Sequence, residues 1–120
     1  MKITHWLALS LTFLLISCQP KTPSAITILD NGQIYRVTST ERVPLILLTQ
    51  NGITPQPNDR VLFNGISVPI DQPLPSADFI QLQLQRAAAI TIITPQGQQT
   101  IESSAFTVGQ ALAEAGFSIN

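Results

Sequence analysis

The sequence predicts an α+β fold, and three observations carry that expectation. The segment Ala25-Ile26-Thr27-Ile28 recurs as Ala89-Ile90-Thr91-Ile92. Each copy is followed by a turn ending in Gly, Gly32 in the first and Gly97 in the second, and then by a polar stretch with period-2 alternation. A short helical pattern comes next and stops at Gly52 in one copy and Gly116 in the other. Self-similarity at a fixed spacing marks one supersecondary unit used twice. The second copy reaches Asn120 about half-way through that unit.

Ile26 and Ile28 alternate with Ala25 and Thr27, as a half-buried strand requires. Asp30-Asn31-Gly32 then supplies an Asn-Gly hairpin turn, since both positions tolerate positive φ. Ile34 to Thr38 returns, with Ile34, Arg36 and Thr38 on one face and Tyr35 and Val37 on the other. In the second copy the turn reads Thr94-Pro95-Gln96-Gly97, one residue longer, and Gln98 to Ser103 returns.

A helix follows each hairpin. Pro44 suits the first helical position, where its missing N–H costs nothing. Leu45, Leu47, Leu48 and Ile53 supply apolar positions, Gly52 the left-handed stop and Pro55 the break. In the second copy Thr107 and Gln110 form a capping box. Val108, Ala111, Leu112 and Ala115 make the apolar face, and Gly116-Phe117 repeats the ending. Helices of two to three turns need a sheet to hold them.

The first copy continues. Arg60 to Phe63 is a short strand, and Asn64-Gly65 is a second turn. Val68 to Leu74 is confined by Pro69 and Pro73 to an edge or irregular segment. Phe79 to Gln85 alternates Ile80, Leu82 and Leu84 with Gln81, Gln83 and Gln85. Hairpin, helix, strand, extended segment, strand is the order of a β-grasp. We therefore expect one complete β-grasp over 25–87 and an incomplete second copy over 88–120. With no Gly or Pro at Arg86-Ala87-Ala88, the two should form a semi-rigid rod.

The N-terminus reads as a targeting device. After Lys2, Trp6 to Ser17 is an uncharged, mostly apolar run of twelve residues. A permanent span needs roughly 20, whereas this length suits a signal peptide. The run ends in Leu15-Ile16-Ser17-Cys18, which resembles the lipobox of bacterial lipoproteins. That likeness implies a signal peptide over 1–17, lipidation of Cys18 and a polar tether over 18–24. Cys18 is the only cysteine and can form no internal disulfide. The implied location is the outer face of the cytoplasmic membrane, with the lipid anchor as the membrane contact.

Little in the chain points to chemistry. Charged residues are 11% of the total and the net charge is −1, so a basic stripe for nucleic acid is missing. The only histidine, His5, lies in the leader, which leaves no triad and no cysteine–histidine zinc set for the mature chain. No cofactor motif is present, and no catalytic, cofactor-binding or metal residue is assigned. Asp59, Asp71 and Asp78 are the remaining carboxylates that an acid–base pair could draw on. Asp59 and Asp71 suit turns in which the side chain caps backbone N–H groups. Asp78 flanks the last strand of the first copy. Asp30 and Asn31 read as turn residues. The row Gln81, Gln83, Gln85, with Thr27, offers amides to glycan hydroxyls, though such a row is ordinarily a solvated sheet face.

Three stretches carry a family resemblance: Gly52-Ile53-Thr54-Pro55-Gln56-Pro57-Asn58-Asp59-Arg60-Val61, then Pro69-Ile70-Asp71-Gln72-Pro73-Leu74, then Ile80 to Arg86-Ala87. Together they resemble a small ubiquitin-like domain of unknown function that occurs in tandem near the N-terminus of bacterial cell-wall proteins such as the resuscitation-promoting factors. The resemblance implies a β-grasp fold, followed in such proteins by a glycine-marked β-rich domain and a C-terminal domain acting on peptidoglycan. The expected function is a non-catalytic, exported lipoprotein segment that spaces or orients a distal cell-wall domain. The alternatives are a module that itself binds peptidoglycan or another envelope polysaccharide, or the N-terminal part of a peptidoglycan-remodelling enzyme.

Overall fold

A computed structural model of the chain describes residues 18–118, so the signal peptide expected over 1–17 lies outside the described residues. Strands β1 (Ser24–Asp30) and β2 (Gln33–Ser39) form the first hairpin. β1 starts at Ser24, the last residue assigned to the tether. Asn31 and Gly32 have φ of 49° and 83°, the two positive values that match a tight turn to the twist of its strands. Helix α1 (Pro44–Gln50) follows, with Pro44 at its start. Then come β3 (Arg60–Phe63), β4 (Ile66–Val68) and β5 (Ile80–Gln85). Asn64 and Gly65 repeat the turn geometry between β3 and β4.

These strands make one mixed sheet in the order β2-β1-β5-β3-β4. β5 runs parallel to β1, with Ile80 opposite Ile26 and Leu82 opposite Ile28. The other pairs are antiparallel. Pro69 ends β4 after three residues and leaves it at the sheet edge, where a missing N–H is tolerated. The period-2 pattern of β5 turns Ile80, Leu82 and Leu84 inward. They pack with Ile26, Ile28, Val61 and Phe63 against Leu47 and Leu48 of α1, and Ile53 and Leu74 complete the core. One expected core position fails: Leu45 is 39% exposed, because Leu47 and Leu48 already fill the sheet-facing stripe of a seven-residue helix. Ile34 points away from the core, as its strand alternation predicts, and Tyr35 and Val37 pack against it.

The second unit is β6 (Ala88–Thr94), β7 (Gly97–Ser103) and α2 (Val108–Glu114). Each element starts 64 residues after its counterpart: Ser24 and Ala88, Gln33 and Gly97, Pro44 and Val108. The expected extra residue in the second hairpin turn is absent. Thr94 pairs with Gly97, so the loop is Pro95-Gln96, as short as Asn31-Gly32. Both helices also end alike. Ile53 N–H donates to the Leu48 carbonyl at 3.0 Å, and Phe117 N–H to that of Leu112 at 2.9 Å. Gly52 and Gly116 take φ of 75° and 86° at the same step, and the pair of bonds satisfies carbonyls that a helix end leaves open. The Thr107 hydroxyl accepts from Gln110 N–H at 3.1 Å, as a capping box requires. Gln110 Oε1 reaches back one residue further than expected, to Phe106 N–H at 2.9 Å.

Candidate functional site

The most constrained polar cluster lies where the chain leaves β5 for β6. Arg86 is the only charged residue between Asp78 and Glu102. Its Nε and Nη2 donate to Oδ1 and Oδ2 of Asp30, each at 2.8 Å. Its Nη1 donates to Asp59 Oδ2 at 2.9 Å and to the Thr54 carbonyl at 2.8 Å. Asp59 Oδ1 accepts from Ala87 N–H at 2.8 Å, and Oδ2 also accepts from Gln56 N–H at 2.9 Å. Three parts of the first unit, the hairpin turn and both ends of the 54–59 loop, thus converge on two consecutive junction residues.

Burial and charge sharpen the cluster. The Asp59 side chain is 2% exposed and Asp30 12%. Burial pushes the Asp59 carboxyl up, but the N–H groups of Ala87 and Gln56 together with Arg86 outweigh it, leaving Asp59 below the ordinary carboxylate range. The bond to Asp30, opposed by burial and joined by the bond to Asp59, raises Arg86 and keeps it charged. A guanidinium gripped by two carboxylates in this way is a structural clamp. It leaves Asp30 and Asp59 bound to fixed donors.

A second set of contacts joins the two units directly. Arg60 Nη2 lies 3.0 Å from Glu114 Oε1, and its guanidinium carbon sits 5.5 Å from the ring centre of Phe106. The other carboxylate oxygen of Glu114 accepts from the Ser103 hydroxyl. Ser103 and Ser104 are buried here.

The remaining sequence candidates lie elsewhere. Asp59 caps its turn as expected and also holds the junction. Asp71 and Asp78 are exposed in the loop before β5, outside the cluster. Gln81, Gln83 and Gln85 are half-buried on a strand flanked on both sides, which gives them less of the solvated-row character expected of them. Cys18 is exposed and free ahead of β1. Among the described residues no group of His, Cys, Asp and Glu has the arrangement of a metal site.

Sequence reasoning missed the roles of Asp30, Arg86 and Asn64. Asn64 Oδ1 accepts from Gln81 N–H and its Nδ2 donates to the Phe79 carbonyl, each at 2.9 Å, so a turn residue extends the sheet. The usable signal for Arg86 was its isolation: a single charge in a long neutral stretch, placed between the five-stranded sheet and the second hairpin.

One feature of the second unit is open. Its helix and hairpin flank an apolar groove of about 480 Å³, lined by Ile90, Ile92, Phe106, Val108, Ala111 and Leu112 among others. Ile26 and Ile28 are fully buried in the first unit, while Ile90 and Ile92 at the matching positions are only half-buried. No strand pairs with the outer edge of β6 among the described residues.

The family model for the G5-linked ubiquitin-like domain matches residues 97–120, which take in β7 and α2. That match supports a ubiquitin-like domain, and the mixed sheet over one helix in residues 24–85 agrees with it. Comparison with curated proteins gives no match.

Proposed function

We propose that this chain is an exported, lipid-anchored and non-catalytic segment whose tandem β-grasp units space and orient a distal cell-wall domain. The observation that carries the reading is the clamp at the seam. Arg86 and Ala87 are the residues that would flex if the units were beads on a string, and both are bonded to the first unit. Arg60 adds a contact across the same seam. A spacer that sets direction needs this stiffness, because a loose link orients nothing. The constant 64-residue offset of strands and helix supports the tandem reading, and the lipobox-like Leu15-Ile16-Ser17-Cys18 supports the anchor.

Spin labels at exposed Ser67 and Gln98, in a Cys18→Ser background, would report the distance between units. A single narrow distribution is expected, broadening in Arg86→Ala. A broad distribution in the unmodified seam would remove the orienting role. For the anchor, metabolic labelling with a clickable fatty acid should mark the wild type and not Cys18→Ser, since stable anchoring requires more than one chain on the processed cysteine. An unlabelled wild type ends the lipoprotein reading. Retention of the chain on purified peptidoglycan would replace spacing with recognition.

A further inference from the structure

We propose that Asn31 is a site of spontaneous deamidation, and that its conversion loosens the grip of Asp30 on Arg86. The chain holds three Asn-Gly pairs, at 31–32, 51–52 and 64–65. In such a pair the glycine nitrogen loses its proton and attacks the asparagine Cγ, unhindered because glycine has no Cβ. A C–N bond closes a five-membered succinimide, the Cγ–Nδ2 bond breaks, and the nitrogen leaves with a proton as ammonia. Solvent water then opens one of the two carbonyl–nitrogen bonds of the ring. The product is aspartate or isoaspartate, the latter with its main chain rerouted through the side-chain carbons.

The fold separates the three pairs. Asn31 and Asn64 share one backbone, with φ of 49° and 48°, and of 83° and 86° at the glycines that follow. Both pairs are exposed to water. Their side chains differ. The Asn64 amide is held at both ends, Oδ1 by Gln81 N–H and Nδ2 by the Phe79 carbonyl, each at 2.9 Å. To present its Cγ it must give up two hydrogen bonds. Asn51 is held on both reacting sides: Nδ2 donates to the Leu47 carbonyl at 2.7 Å, and Gly52 N–H to that of Thr49 at 3.1 Å. The Asn31 amide and the Gly32 N–H have no hydrogen-bond partner among the described residues, so there both reacting groups are free. Position supplies the consequence. Asn31 and Gly32 are the whole loop between the paired residues Asp30 and Gln33. Isoaspartate lengthens that loop's backbone, which a two-residue turn matched to its strands does not accommodate. Asp30, at the turn's first rung, is the residue that binds Arg86 through both carboxylate oxygens.

The test ages the full chain at mildly alkaline pH and follows it by peptide mapping, where conversion adds about one dalton and fragmentation tells isoaspartate from aspartate. Asn31 should convert at least about tenfold faster than Asn64 or Asn51, the factor that two lost hydrogen bonds imply. In denaturant the three should convert at similar rates, since the unfolded chain holds none of them. Equal rates in the folded chain, faster loss at Asn64, or the same ordering in denaturant overturns the site. For the clamp, the purified isoaspartyl fraction should unfold at lower denaturant than fresh protein. The shift should be smaller in an Arg86→Ala background, where the grip is already gone. An unchanged midpoint, or an equal shift in both backgrounds, overturns the coupling.

Discussion

Arg86 and Asp30, 56 residues apart in the chain, meet through two parallel hydrogen bonds of 2.8 Å. This fork-to-fork geometry fixes the guanidinium plane as well as its position, which a single contact cannot do. It ties the exit from β5 to the hairpin turn at the far end of β1, and Asp59 completes the grip. Arg86→Ala should therefore cost about 1–2 kcal/mol, a value held down because Arg86 is a third exposed and partly screened. Arg86→Lys should recover only part of it, since an ammonium cannot reproduce the bidentate bond. Chemical denaturation of the three proteins measures both. Equal stability of all three would show that the clamp contributes nothing net.

Asp59 makes the clamp sensitive to acid, and the sign follows from its lowered pKa. Its ionised form is favoured in the folded state, so its contribution is complete above the unfolded value near about 4. That contribution fades as pH falls through the lower folded value. The stability gap between wild type and Asp59→Asn should be flat from neutral pH down to about 5 and should shrink at more acid pH. Denaturation midpoints across that range provide the check. A gap that widens on acidification would mean that burial dominates the carboxyl instead.

Local signals carried most of the fold. The two Asn-Gly turns, Pro44 at a helix start, the glycine stops and the alternation of Ile80 to Gln85 each act within a few residues, so they are readable without a partner. The failures are of another kind. Leu45 turned outward because a short helix over a narrow sheet can bury only one stripe. The 86–30 and 86–59 bonds span 56 and 27 residues, and no local pattern encodes which carboxylate meets which guanidinium. Leu62 is likewise buried on the sheet face opposite α1, beside Gln83, where alternation alone would have left it in solvent. The site was thus legible as residues, in part, and hardly at all as a cluster.

Strand β5 offers a direct test of facing. Leu82 is fully buried between sheet and helix, and Gln83, its neighbour, lies on the other face. Leu82→Ala should cost about 2–5 kcal/mol through lost burial and a residual cavity. Gln83→Ala should cost well under about 1 kcal/mol. Comparable losses at the two positions would contradict the observed pleat.

The 64-residue offset sets up a matched pair of substitutions whose difference measures how far the second core is closed. Leu48 and Leu112 occupy the same place in α1 and α2, each giving its carbonyl to the amide just past the helix stop. Leu48 is fully buried, under a five-stranded sheet. Leu112 is half-buried, over two strands and an open groove. A side chain that already meets solvent has less transfer free energy to lose and leaves no sealed cavity. Leu48→Ala should thus cost about 2–5 kcal/mol and Leu112→Ala less than about 1.5 kcal/mol. Native-state hydrogen exchange reads the two units separately, since each opens with its own free energy. Strong protection is expected across Ile80–Leu84 and weak protection from Gln98 to Ser118, with Leu112→Ala altering only the latter. Equal, concentration-independent protection in both regions of the wild type would mean that hairpin and helix are stable without a fifth strand, and the groove would then be a finished surface.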